Sequence, residues 1–153
     1  DLDRSGLEVW CRSRFNEDQQ PFVFDAAGEL IAAYRLNDVK PPDWSVRGVE
    51  VIYAIHWTGE VRQLAAAKER HTENDVTVFD PLTGEFLHVV DETAHRLLVV
   101  DVSGDWREEL VVMSGSEIHV HHNEAANPRP DEPRLWADPH YRRLRMTWNY
   151  YSP

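Results

Sequence analysis

The sequence repeats itself, and a repeat limits the possible folds sharply, because each copy must settle into nearly the same local structure. Val23-Phe24-Asp25-Ala26-Ala27-Gly28-Glu29-Leu30 returns as Val78-Phe79-Asp80-Pro81-Leu82-Thr83-Gly84-Glu85-Phe86, with Phe24 and Phe79 55 positions apart. Each copy runs apolar strand, Asp turn, Gly, apolar strand, which is a hairpin signature. A second element recurs as well. Asp1-Leu2-Asp3-Arg4-Ser5-Gly6-Leu7-Glu8-Val9-Trp10 is echoed by Asp101-Val102-Ser103-Gly104-Asp105-Trp106-Arg107-Glu108-Glu109-Leu110, and more weakly by Trp57-Thr58-Gly59-Glu60-Val61-Arg62-Gln63-Leu64. The glycines at 6, 59 and 104 lie 53 and 45 residues apart, near the ~40–50 residues of a four-stranded propeller blade.

These spacings predict an all-β chain: a β-propeller fragment of about three four-stranded blades, with units over about 1–46, 47–98 and 99–153. Residues 49–57, 97–100 and 117–121 are short, β-branched or aromatic, and bounded by turn formers, as strands should be. Residues 61–70 pull the other way, since Ala65, Ala66, Ala67, Lys68 and Glu69 favour helix by propensity. Three blades do not close a propeller, so unpaired edges and a need for the remaining blades of a parent chain follow. The start at Asp1, without Met or a leader, reads as a piece of a longer protein, expected to be poorly soluble alone.

Charge narrows the function. The chain carries 27 Asp and Glu against 16 Lys and Arg, a net charge of −11, which repels phosphate backbones and anionic membranes and argues against both as partners. No apolar run approaches the ~20 residues that span a bilayer. The single Cys11 rules out a disulfide scaffold. Acids concentrate in the repeated loops. Asp1, Asp3 and Glu8 alternate around Ser5-Gly6, and Asp101, Asp105 and Glu109 form a parallel set, an oxygen-rich pattern suited to Ca²⁺. Thr58 and Gln63 replace the acids in the middle copy, so calcium is expected in the outer two units. The plainer alternative is that Asp and Gly serve as turn residues.

Gly104-Asp105-Trp106-Arg107-Glu108-Glu109 resembles the signature of family 11 rhamnogalacturonan lyases. Asp138-Pro139-His140-Tyr141-Arg142, followed by Trp148-Asn149, is similar to that family's C-terminal stretch, and the Asp1 to Val9 loop is similar to its acidic loops. The resemblance implies the C-terminal blades of a secreted, calcium-containing, FG-GAP-like propeller that cleaves the galacturonate–rhamnose backbone of pectin by β-elimination. That chemistry needs a base for the C5 proton of galacturonate and cations on its C6 carboxylate. The second possibility, from the shared FG-GAP loops, is a non-catalytic calcium-binding propeller that binds polysaccharide or protein.

Several residues become candidates on that reading. Arg107 would clamp a carboxylate through its planar fork, or else form a salt bridge inside its own loop. Asp91-Glu92-Thr93-Ala94-His95-Arg96 stands where the family carries an Asn-Gly-Thr-Lys-like stretch, which makes His95 the candidate base. Tyr150 or Tyr151 corresponds to a tyrosine of the family's last segment. Arg142, Arg143 and Arg145 form a basic run, either a docking place for a polyanionic sugar or a solvated strand face. Trp44 and Trp136, beside Pro-rich connections, stand where platforms for sugar stacking usually sit, with core packing the plainer reading of both, whereas Trp10, Trp57, Trp106 and Trp148 suit inter-blade core. His119 and His121 share one face of a strand next to His122, a pattern that invites Zn²⁺ but lacks a third ligand at zinc-site spacing.

Overall fold

The computed structural model describes residues 4–13, 19–45, 48–70 and 74–146. Asp1, Asp3, Tyr150 and Tyr151 lie outside them. The described residues form three antiparallel sheets, each a meander in chain order. The first holds β1 Val9–Arg12, β2 Pro21–Phe24 and β3 Leu30–Ala33. The second holds β4 Val51–Ile55, β5 Leu64–Lys68, β6 Asn74–Phe79 and β7 Phe86–Ala94. The third holds β8 Arg96–Val100, β9 Glu109–Ser114 and β10 Glu117–His121. No sheet closes on itself, and among the described residues only the middle one has four strands. The described residues are therefore all-β apart from a short helix α1 Leu36–Val39, a 3-10 turn Leu135–Ala137 and a helix α2 Pro139–Met146. No helix among the described residues is long and apolar enough to cross a membrane.

The repeated hairpins form as their sequence requires. Phe24 pairs with Leu30 and Phe79 with Phe86. In each turn the aspartate closes the loop with its own side chain: Asp25 Oδ1 accepts from the amides of Ala27 and Glu29, and Asp80 Oδ1 from that of Leu82.

The helix-favouring segment 61–70 folds instead as β5, and all five of its strand residues are buried. Alanine's helix propensity amounts to only a few tenths of a kcal/mol per residue against a β-former, and pairing to β4 and β6 on both sides overrides it. Small side chains also let both faces of this strand pack closely. Ala66 joins a core with Ile55, Val78, Leu97, Val99 and Leu110, which seals the middle sheet against the third. Ala65 and Ala67 join Leu36, Trp44, Val49 and Phe79 on the opposite face, toward the first sheet. Trp10 edges against Phe79 at 6.4 Å, and Arg12 Nε donates to the Val49 carbonyl at 2.9 Å, tying the first sheet on. The three sheets thus stack face to face. Trp44 is buried in this second core, so it is packing and not a sugar platform.

The basic run is helical, not the face of a strand. Asp138 caps it, accepting from the His140 amide through Oδ1 and from the Arg142 amide through its carbonyl, and Pro139 occupies the first helical position, where no amide proton is needed.

Candidate functional site

The segment between β8 and β9 folds into a self-braced loop. Gly104 takes a φ of +77°, and Trp106, at +71°, is the non-glycine residue held in the left-handed region. That strain of order 1–3 kcal/mol is offset by neighbours on all sides: Asn127 Nδ2 donates to the Asp105 carbonyl at 2.7 Å, the His56 ring lies 4.6 Å from the indole, and the Arg129 guanidinium sits 4.5 Å over it.

The acids of this loop turn inward on its own donors. Asp101 Oδ1 accepts from the Gly104 amide at 2.6 Å and Oδ2 from the Leu135 amide at 3.0 Å. Glu109 Oε2 accepts from the amides of Val102 and Ser103, and Oε1 from the Ser103 hydroxyl. Asp105 Oδ1 takes the Arg107 amide, and Oδ2 takes both Nε at 2.9 Å and Nη2 at 2.7 Å of Arg107. All six carboxylate oxygens therefore already face N–H or O–H donors, and the three groups do not converge as a cation cage. The residues expected to bind calcium here are thus the ones that brace the loop through its own donors. Burial pushes the Asp101 carboxyl above the usual carboxylate range despite its two amide bonds. Burial pushes Asp105 the same way, but the Arg107 fork outweighs it and holds that carboxyl below the range. Glu8, the described member of the first acidic loop, is half-buried.

Arg107 is equally committed. Besides Asp105 it donates through Nη1 to the carbonyls of Asn123 and Ala125 at 3.1 and 2.8 Å, so its fork braces the loop and does not point at a ligand. His95 accepts the Gly115 amide on Nδ1 at 3.0 Å, beside the turn between β9 and β10. The two stretches that carry the resemblance meet directly. Tyr141 accepts the Asp101 amide at 2.8 Å and donates to Glu108 Oε1 at 2.9 Å. Arg145 also pairs with Glu108 and lies 5.1 Å over the Tyr141 ring. Trp136 donates to the Asp101 carbonyl and edges against Tyr141 at 5.4 Å, which makes it part of this packing. Arg142 is exposed on α2. Glu108 is the hub that the sequence did not single out: Oε2 also accepts the His56 amide at 3.0 Å, while its own amide donates to the His56 carbonyl.

A second cluster gathers between β7 of the middle sheet and β10 of the third. Glu92 projects from β7 between two buried neighbours, Val90 and Ala94, and meets His119 and His121 from β10. His119 Nδ1 lies 2.5 Å from Oε2 and His121 Nε2 lies 2.7 Å from Oε1. Burial raises the Glu92 carboxyl, but the two imidazoles win and hold it below its usual range; Glu92 and Glu117 raise His119 in turn. Glu92 is 27 and 29 residues from its partners, so no local spacing reveals it. The available signal was a lone carboxylate on the apolar side of an alternating strand. Among the described residues this is the set of His, Cys, Asp and Glu whose ligand atoms all lie within 4.8 Å of one another.

Two open clefts flank these features. One, of about 550 Å³, lies between the first and middle units beside Trp10, Tyr53, His56 and Arg62. Burial there lowers His56, and so does the charge of Arg145 and Arg129 against the opposing pull of Glu108. The other, of about 610 Å³, is lined by Trp57, His88 and His121 among others. Comparisons of the chain with family models, with curated proteins and with solved structures return no match.

Proposed function

We propose that this chain supplies consecutive blades of a rhamnogalacturonan lyase-like propeller acting on the pectic backbone by β-elimination, with the described residues forming its scaffold. The observation that carries this reading is the interlock of the two stretches on which the resemblance rests, through Tyr141 to Asp101 and Glu108 and through Arg145 to Glu108. These bonds join residues 33 to 40 positions apart in sequence, so the two stretches pack as parts of one unit. Face-to-face stacking of the three sheets also suits neighbouring blades. A secreted location goes with a pectic substrate. Calcium enters through the first acidic loop of Asp1, Asp3 and Glu8, since the carboxylates of the Asp101 loop are engaged by that loop's own donors. Tyr150, Tyr151 and the rest of a parent chain are left to provide the base, because Arg107 and His95 are engaged in structure.

That engagement favours one rival, a propeller that binds polysaccharide or protein without cleaving it. The full-length protein incubated with rhamnogalacturonan separates the two. An unsaturated product absorbing in the ultraviolet is expected; its absence under saturating calcium, with retention of the protein on the same polysaccharide, would establish the binding reading instead.

A further inference from the structure

We propose that Glu92, His119 and His121 form a site for a divalent transition metal, Zn²⁺ foremost, independent of any action on polysaccharide. Two imidazoles and one carboxylate are a donor set that zinc takes with a fourth position left for water. Alkaline-earth ions prefer all-oxygen surroundings and would not choose it.

The strand carrying the histidines is built the wrong way round for a plain edge. On β10, Ile118 is 70% and Val120 47% exposed, while His119 and His121 turn toward Glu92. A strand serving only as an edge of the core would point the aliphatic pair inward and the imidazoles outward. The backing is firm: His119 and His121 stand opposite Val112 and Leu110 of β9, both fully buried. The carboxylate is held from the other side, with only 16% of the Glu92 side chain exposed.

The distances suit an ion entering between groups already gathered. Tetrahedral zinc with ligands at ~2.0–2.2 Å needs its donor atoms roughly 3.3–3.5 Å apart. Here Oε2 to Nδ1 is 2.5 Å and Oε1 to Nε2 is 2.7 Å, so these two contacts lengthen by about 1 Å or less to admit an ion, and one ligand atom from each residue already lies within 4.8 Å of the others. The second ring nitrogen of His119 already has a carboxylate partner, Glu117 Oε2 at 3.2 Å. A metal-bound imidazole characteristically donates its other N–H to such a group, which fixes the tautomer and raises ligand basicity. Glu117 is therefore a positioning residue. His121 also lines the 610 Å³ cleft with Trp57 and His88, and the His119 side chain is 39% exposed, so the cluster borders solvent.

The test uses the untagged full-length protein, stripped with a chelator and titrated calorimetrically with ZnCl₂, with CaCl₂ as the comparison. One site removed by His119→Ala together with His121→Ala is expected, unaffected by His122→Ala and unmatched by calcium at this cluster. Glu117→Gln should weaken zinc affinity about tenfold or more without changing stoichiometry. Co²⁺ substitution gives a readout that needs no variant: intense visible bands of a low-symmetry four-coordinate site, bleached by added zinc. Absence of those bands, or zinc stoichiometry unchanged in a folded double histidine variant, would overturn the proposal.

Discussion

Arg107 and Asp105 set the behaviour of their loop. Truncating Arg107 removes both side-chain donors from Asp105 Oδ2 and the donor shared by two backbone carbonyls, so Arg107→Ala is expected to destabilise by about 2 kcal/mol, the size of a lost charge-assisted bond set. Thermal unfolding measures it. Because Asp105 is held below the ordinary carboxylate range, its contribution is complete above the unfolded value near pH 4 and is lost as pH falls through the lower folded value. Chemical denaturation between about pH 2.5 and 6 should therefore show an acid slope that shrinks in the Arg107→Ala variant. A slope unchanged by the substitution would mean that other carboxylates dominate acid unfolding. Any loss of polysaccharide cleavage in Arg107→Ala should scale with loss of folded protein and not persist at temperatures where the variant is fully folded.

At the level of elements, β5 shows where local sequence misleads. Ala66 is fully buried between β4 and β6 with the third sheet above it, so Ala66→Leu overpacks that core and should cost about 1–3 kcal/mol, seen as a lowered urea midpoint at unchanged m-value. The hairpins were legible because an aspartate and a glycine act within a few residues of each other, and the bonds of Asp25 and Asp80 are that local chemistry. The strand β5 was not, because its state is decided by pairing partners as distant in sequence as Val51 is from Lys68 and by burial, which alanine does not advertise. The α2 helix lay between these cases: Asp138-Pro139 is a helix-start signature, overlooked beneath the arginines that follow it. Glu92 was hidden for the same reason as β5, its meaning supplied entirely by a distant strand. Asp101, Asp105 and Glu109 share one loop, but composition alone does not tell donors within the loop from a cation.

Across the whole molecule, the two outer sheets present apolar side chains to solvent: Val9 and Leu30 on the first, and Met113, Ile118 and Val120 on the third. Ile118 stands opposite Met113 and Val120 opposite Val111, so the third sheet shows a contiguous apolar face beside an open strand edge. The 153-residue chain is expected to self-associate at micromolar concentration, and Ile118→Lys should shift it toward monomer in sedimentation velocity; a wild-type chain that stays monomeric throughout would contradict this. The middle sheet is a different matter. One face of β5 belongs to the core shared with the third sheet and the other to the core shared with the first, so a single strand five residues long is the wall common to two rooms. Neither core can dissolve while the other stands intact, since losing either exposes this wall. The amides of β5 should then exchange with solvent only through global opening, and the three sheets, though separate in hydrogen bonding, behave as one cooperative body.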